Sequence, residues 1–234
     1  VKGMRRFGSR AADTLPLYLF VFALMLMGVL FGVLLVNSLT LEQKQDLFQF
    51  TGGFLQSLAH GGPASKGASS EGWTAASFAA SLWDNLRWIG LMWLFGLSVI
   101  GVPLVLLLDF LKGVLIGFSV GYFVGEFAWR GAGFALAAIV PHNLVFVPAL
   151  IVTSAAALSF SAAVIRGRLF RKTVRSPLAA RLARFSGVTM LMAGCAALAA
   201  FLETRVSPVL LDWMLPWLLE GNVTVPSIFT ASIL

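Results

Sequence analysis

One cysteine in 234 residues, Cys195, leaves no partner for an intramolecular disulfide and no cysteine cluster for a metal. Carboxylates are scarce too, with 10 Asp and Glu against 17 Lys and Arg. No two of them are paired in a way that suits acid-base hydrolysis of a glycan. The patterns HExxH, GxSxG and GxxxxGK[ST] are absent, and the two histidines, His60 and His142, have no cysteine or histidine neighbours to complete a ligand set. The expectation is a protein that is not an enzyme and holds no cofactor and no metal. Charged residues of both signs make up only 12% of the chain, too few to solvate the surface of a soluble domain.

What fills the chain instead is apolar. Hydrophobic residues reach 59% and the mean hydropathy is +0.89, which places it among polytopic, all-α membrane proteins: one integral membrane domain, 1–234, built as a helix bundle in the lipid bilayer. The net charge of +7 resembles a nucleic-acid footprint only until its carriers are located. Most lie in two short segments beside apolar runs, which is an orientation signal, so no nucleic-acid partner is expected.

Apolar runs long enough to cross a hydrocarbon core of about 30 Å are expected at 17–36, 88–108, 113–130, 144–165 and 185–203. The first is too long for a signal-peptide core and lacks a small-x-small cleavage site, so it reads as an uncleaved anchor. Asp109 and Lys112 read as a tight turn between the second and third spans. Residues 37–87 form the longest polar segment, with an amphipathic helical pattern whose Leu47, Phe50 and Phe54, together with Trp73, are the candidates for docking a partner. The tail 206–234 is broken by Pro208 and Pro216 and reads as interfacial.

The stretch 113–148 is the most informative. Gly113, Gly117, Gly121 and Gly125 recur every fourth residue and fall on one helix face, where a second backbone can approach closely. Gly28 and Gly32 of the first span are one candidate for that second backbone, and a homodimer through the same stripe is the other. Glu126 follows, then Pro141, His142, Asn143 and Pro148 inside an apolar run. The prolines predict a half-helix ending near 140, a break at 141–143 with Asn143 as N-cap, and a new span after it. Glu126 is expected to hydrogen-bond His142 or Asn143 across that break. A broken helix with an ionisable neighbour also suits a transporter or permease-like subunit, which is the alternative reading.

Counting Lys and Arg on alternate sides gives about 12 for the N-terminus, the 109–112 turn and the basic segment 166–184, against about 5 for the other side. The N-terminus is therefore expected in the cytoplasm and the C-terminus outside the cell membrane. The segments 37–87 and 206–234 would then be extracytoplasmic.

VNSLTLEQKQDLF at 36–48, GFSVGYFVGE at 117–126 and PHNLVFVPAL at 141–150 resemble the stage II sporulation protein M family of endospore-forming bacteria. The wider family often reads PHGxxEIPA in the last motif, and this chain carries Asn143 and Phe146 where glycine and glutamate often stand. The resemblance implies a sporulation membrane protein acting in engulfment of the forespore. Its implied role is a scaffold for two wall-remodelling partners, the sporulation P protein (an amidase and endopeptidase) and the D protein (a lytic transglycosylase).

Overall fold

A computed structural model describes residues 2–40, 42–47, 75–98, 101–169 and 178–219. Among these residues there is no strand. Four long helices carry the fold: α1 (Lys2–Asn37), α2 (Ala75–Leu97), α3 (Gly101–Leu169) and α4 (Leu178–Leu219). A short helical piece covers 42–47 and includes the half-buried Leu47. Phe50, Phe54 and Trp73, the other expected docking residues, lie outside the described residues.

Local chemistry sets the helix ends. Beyond α1, the Ser38 N–H and hydroxyl both donate to the Leu35 carbonyl, at 3.1 and 2.8 Å. The 42–47 piece then opens on a reciprocal cap. The Thr40 N–H donates to Gln43 Oε1 at 3.1 Å, and the Gln43 N–H donates to Thr40 Oγ1 at 3.4 Å. Between α2 and α3 the chain turns tightly. Ser98 N–H donates to Phe95 O at 2.9 Å and Gly101 N–H to Ser98 O at 3.1 Å. A Cβ at Gly101 would strike the Phe95 carbonyl, so only glycine fits this corner. Pro103 stands in the first turn of α3, where its missing N–H costs nothing.

That corner corrects the expected second and third spans. The turn lies at 98–101, not at Asp109 and Lys112, and both of those residues sit within α3. Two further corrections concern proline. The α3 helix runs unbroken through Pro141 and Pro148, so there is no half-helix ending at 140, and Asn143 is not an N-cap. Its side-chain amide instead donates to Ile139 O, one turn back, at 2.8 Å. Likewise α4 continues past Pro208 and Pro216 to Leu219, so these prolines do not break the chain as expected.

A straight helix of 69 residues would be roughly 100 Å long. Yet the Ser154 hydroxyl lies 2.7 Å from Asp109, 45 residues away, so α3 doubles back on itself. Its two arms are Gly101–Gly125 and Gly131–Ile165. The contacts give the directions. Gly28 meets Gly113 and Gly32 meets Phe118, so α1 runs parallel to the first arm. Asn85 reaches Ala196 and Trp93 reaches Ser186, so α2 and α4 are antiparallel. Met92 meets Ser154 and Ser98 meets Ser161, so α2 runs parallel to the second arm.

The glycine stripe is used within the chain. A methyl group built on Gly32 would come within 2.7 Å of the Phe118 nitrogen, and one on Gly117 within 2.8 Å of Val29 Cα. Gly28 and Gly113 face backbone carbonyls at least as closely, Gly121 has Val33 Cα at 3.1 Å, and Gly125 meets nothing within 4 Å. The seam between α1 and the first arm therefore occupies the surface that a dimer through Gly113, Gly117 and Gly121 would need.

Four helical stretches are long and apolar enough to cross a membrane: Leu15–Asn37, Gly101–Gly125, Gly131–Ile165 and Ala179–Ser207. Only 22–33% of each is buried by the chain itself, and large side chains such as Leu30, Leu107, Leu144 and Met190 point outward. Hydrocarbon is the medium that covers such a surface at no cost. Inside, one apolar cluster gathers Val21, Val105, Leu158 and Phe185, and a second gathers Ile89, Met92, Phe146 and Leu150.

Candidate functional site

The second apolar cluster surrounds the least expected feature of the bundle, a column of ionisable side chains on α3 and α4. Asp109 is completely buried. Its Oδ1 accepts from the Ser154 hydroxyl at 2.7 Å, while Oδ2 has no hydrogen-bond partner among the described residues. Ser154 Oγ also lies 3.3 Å from Met92 Sδ, but one hydroxyl proton serves one acceptor, and the carboxylate is the stronger. One turn further along the first arm, Lys112 sends its ammonium over two aromatic faces, 5.0 Å from the Phe146 ring centre and 5.5 Å from that of Trp88. By helical rise Lys112 lies about 17 Å into its span, near the middle of the hydrocarbon thickness. Aromatic faces are among the few partners that solvate a cation there without adding a charge.

Above Lys112 the ring of His142 stacks on Phe146 at 5.3 Å. Its Nδ1 faces the Ala199 carbonyl, which can only accept, and Glu203 Oε2, each at 3.4 Å. The carbonyl has no proton to give, so Nδ1 donates toward Ala199. Lys112, His142 and Glu203 lie close enough to feel one another's charge. Among the described residues no three His, Cys, Asp or Glu side chains converge as a metal site would require.

The expected polar residues are thus brought together only in part. His142 is in the column, but its partners are Ala199 and Glu203, and the side chain of Glu126 lies outside the described residues. Asn143 points back to its own helix, and its Oδ1 is buried with no partner among the described residues. Asp109, Lys112, Ser154, Trp88 and Glu203 were not singled out from the sequence as site residues. The available signal was an aspartate and a lysine three residues apart in a run of leucine and valine, VPLVLLLDFLKGVLIG, too apolar on both sides for an exposed turn.

Physically, the column ties α3 to α2 and α4 by interactions available only in one register. Ser154→Ala is expected to leave the buried Asp109 carboxyl with no donor, which costs about 2 kcal/mol. Thermal unfolding in detergent should fall by roughly 4–8 °C, and Asp109→Leu in the same chain should restore it, because an apolar side chain needs no donor. An unchanged midpoint in Ser154→Ala would show that the pair carries no stability.

A membrane-embedded helical bundle with polar contacts locking its core is the class that the fold and site define. The model of one family, Stage II sporulation protein M, matches residues 21–208, from the first glycine seam to the end of the last span. The chain belongs to that family. No curated protein and no solved structure matches it.

Proposed function

We propose that the protein is a non-enzymatic membrane scaffold that recruits and localises peptidoglycan-remodelling enzymes while the mother cell engulfs the forespore. Membership of the stage II sporulation protein M family, over four-fifths of the chain, is the observation that carries this reading. In the proposed topology α2 is the fifth pass. One face of it packs against α3 and α4, antiparallel to the first arm of α3, and its 23 residues suffice for a span. With Lys112 moved into the bundle, the basic count is about 11 against about 5, which still favours a cytoplasmic N-terminus. The segment 41–74 and the residues after 219 then face the cell wall, where the enzymes to be recruited work.

The permease-like alternative took its motive from a helix broken at Pro141, His142 and Asn143. That helix is continuous, so the break is gone, and the side chain of Glu126, the other half of the motive, lies outside the described residues.

Removing residues 42–72 tests the scaffold. The shortened protein is expected to insert in the membrane as before but to lose co-purification with the sporulation P protein from sporulating cells in mild detergent. Undiminished co-purification would remove this segment as the docking surface. A cysteine placed at residue 60 should react with an impermeant reagent added from outside; reaction only after the cytoplasm is opened would overturn the topology and the scaffold with it.

A further inference from the structure

The column of charges is not the only built feature. A groove of about 390 Å3 runs between the end of the second arm of α3 and the start of α4, at the end of the bundle that carries the basic segment 166–184. Its size lies within the range of roughly 300–1,000 Å3 typical of ligand pockets. Ala156 and Ala163 on one side and Ala180 on the other keep it open, and Phe160 stacked on Phe185 at 5.3 Å lies along it. Arg181, half-buried, and Arg184, exposed, stand one turn apart on α4 at its rim. From 127 to 202 the sequence has no Asp or Glu, and none of the residues lining the groove is acidic.

We propose that this groove binds one anionic phospholipid of the leaflet on that side. The inference rests on the membrane embedding of the bundle and not on the scaffold role. The apolar walls belong to Gly131–Ile165 and Ala179–Ser207, so they lie at the depth of acyl chains. The charged rim is Arg181 and Arg184, in the first two turns of that last stretch, and their long side chains can reach the headgroup level while their stems stay among the chains. A ligand must therefore be apolar over most of its length and carry a negative oxyanion at one end. A phosphodiester lipid meets both conditions, and the planar guanidinium fork suits its phosphate oxygens. A zwitterionic lipid carries its own ammonium, which opposes the same two arginines.

Full-length protein in phosphatidylcholine nanodiscs doped with phosphatidylglycerol provides the test, with retained lipid read by native mass spectrometry. The wild type is expected to keep one phosphatidylglycerol with roughly tenfold preference over phosphatidylcholine. The double variant Arg181→Gln/Arg184→Gln should lose that preference, and so should Ala163→Leu, which fills the groove and leaves both arginines in place. Both variants are read at an unfolding midpoint matched to wild type, and Ala163→Val replaces the leucine variant if the latter unfolds. Preference that survives either groove change overturns the site. Equal loss in Arg5→Gln/Arg6→Gln, far away in sequence, would mean diffuse attraction of a basic surface and would also overturn it. Displacement of the lipid by millimolar inorganic phosphate would make this a soluble-anion site, and the lipid assignment would fall.

Discussion

Gly117→Leu is expected to lower the unfolding midpoint of the purified protein by roughly 6–12 °C, the largest loss from any single glycine in the seam. The added side chain would start against the Val29 backbone, with Val29 Cα 2.8 Å from its Cβ. Backbone on both helices cannot turn aside as a flexible side chain would. The helices must part, and the destabilisation is about 3 kcal/mol, at the upper end for overpacking. Gly125→Leu, two turns further on the same nominal stripe, should be close to neutral because nothing lies within 4 Å of its Cβ. The contrast between the two decides what the stripe is for. Equal losses at both positions, or a loss that appears only as dissociation of a dimer, would mean that a second chain packs there.

This seam was legible in the sequence because close helix approach has a one-letter requirement. Where two backbones touch, only glycine fits, and Gly28 and Gly32 could be paired in advance with Gly113, Gly117 and Gly121. The resemblance carried by PHNLVFVPAL was equally direct, since the family model covers that stretch. The number of apolar helices was nearly legible, and their boundaries were not. Asp109 and Lys112 read as a turn because a local reading sees only that charges avoid hydrocarbon. Their partners, Ser154 for one and Trp88 and Phe146 for the other, lie up to 45 residues away. With the true corner at Ser98 and Gly101, Pro103 becomes a helix-start signal rather than a mark near a helix end. Pro141 misled in the same way. A proline forbids one hydrogen bond but does not oblige a helix to stop where neighbours hold it on both sides, as Phe146 and Leu150 are held in the core. The doubling-back of α3 comes earlier, between Gly125 and Gly131, where a glycine lies at each end and Trp129 is almost fully exposed. The opening of the 42–47 helix was readable and missed: Thr40 and Gln43 in TLEQ have the spacing of a reciprocal cap.

The second large effect concerns Phe146. Phe146 is fully buried, under the Lys112 ammonium and stacked on His142. An extended glutamate carries its carboxyl carbon about as far from Cα as phenylalanine carries its ring centre, so Phe146→Glu would put a carboxylate where Lys112 now meets the π face. In the wild-type background the change trades ring packing and a cation-π contact for a buried ion pair. It is expected to cost about 2 kcal/mol, less than the 3–5 kcal/mol that losing a buried phenylalanine usually brings. Lys112→Met alone keeps the aliphatic stem packed and should cost about 1 kcal/mol. With both changes the glutamate has lost its counter-charge in a site closed to water, and the cost should rise to about 5 kcal/mol or more. The double-mutant cycle in denaturant titrations should therefore show a coupling of about 2–3 kcal/mol, with the sign that Lys112 rescues the glutamate. Costs that simply add would mean that Lys112 is free to leave Phe146 for water at the membrane surface. The column of Asp109, Lys112, His142 and Glu203 would then be a loose set of interfacial charges, and its part in fixing the register of α2, α3 and α4 would have to be given up.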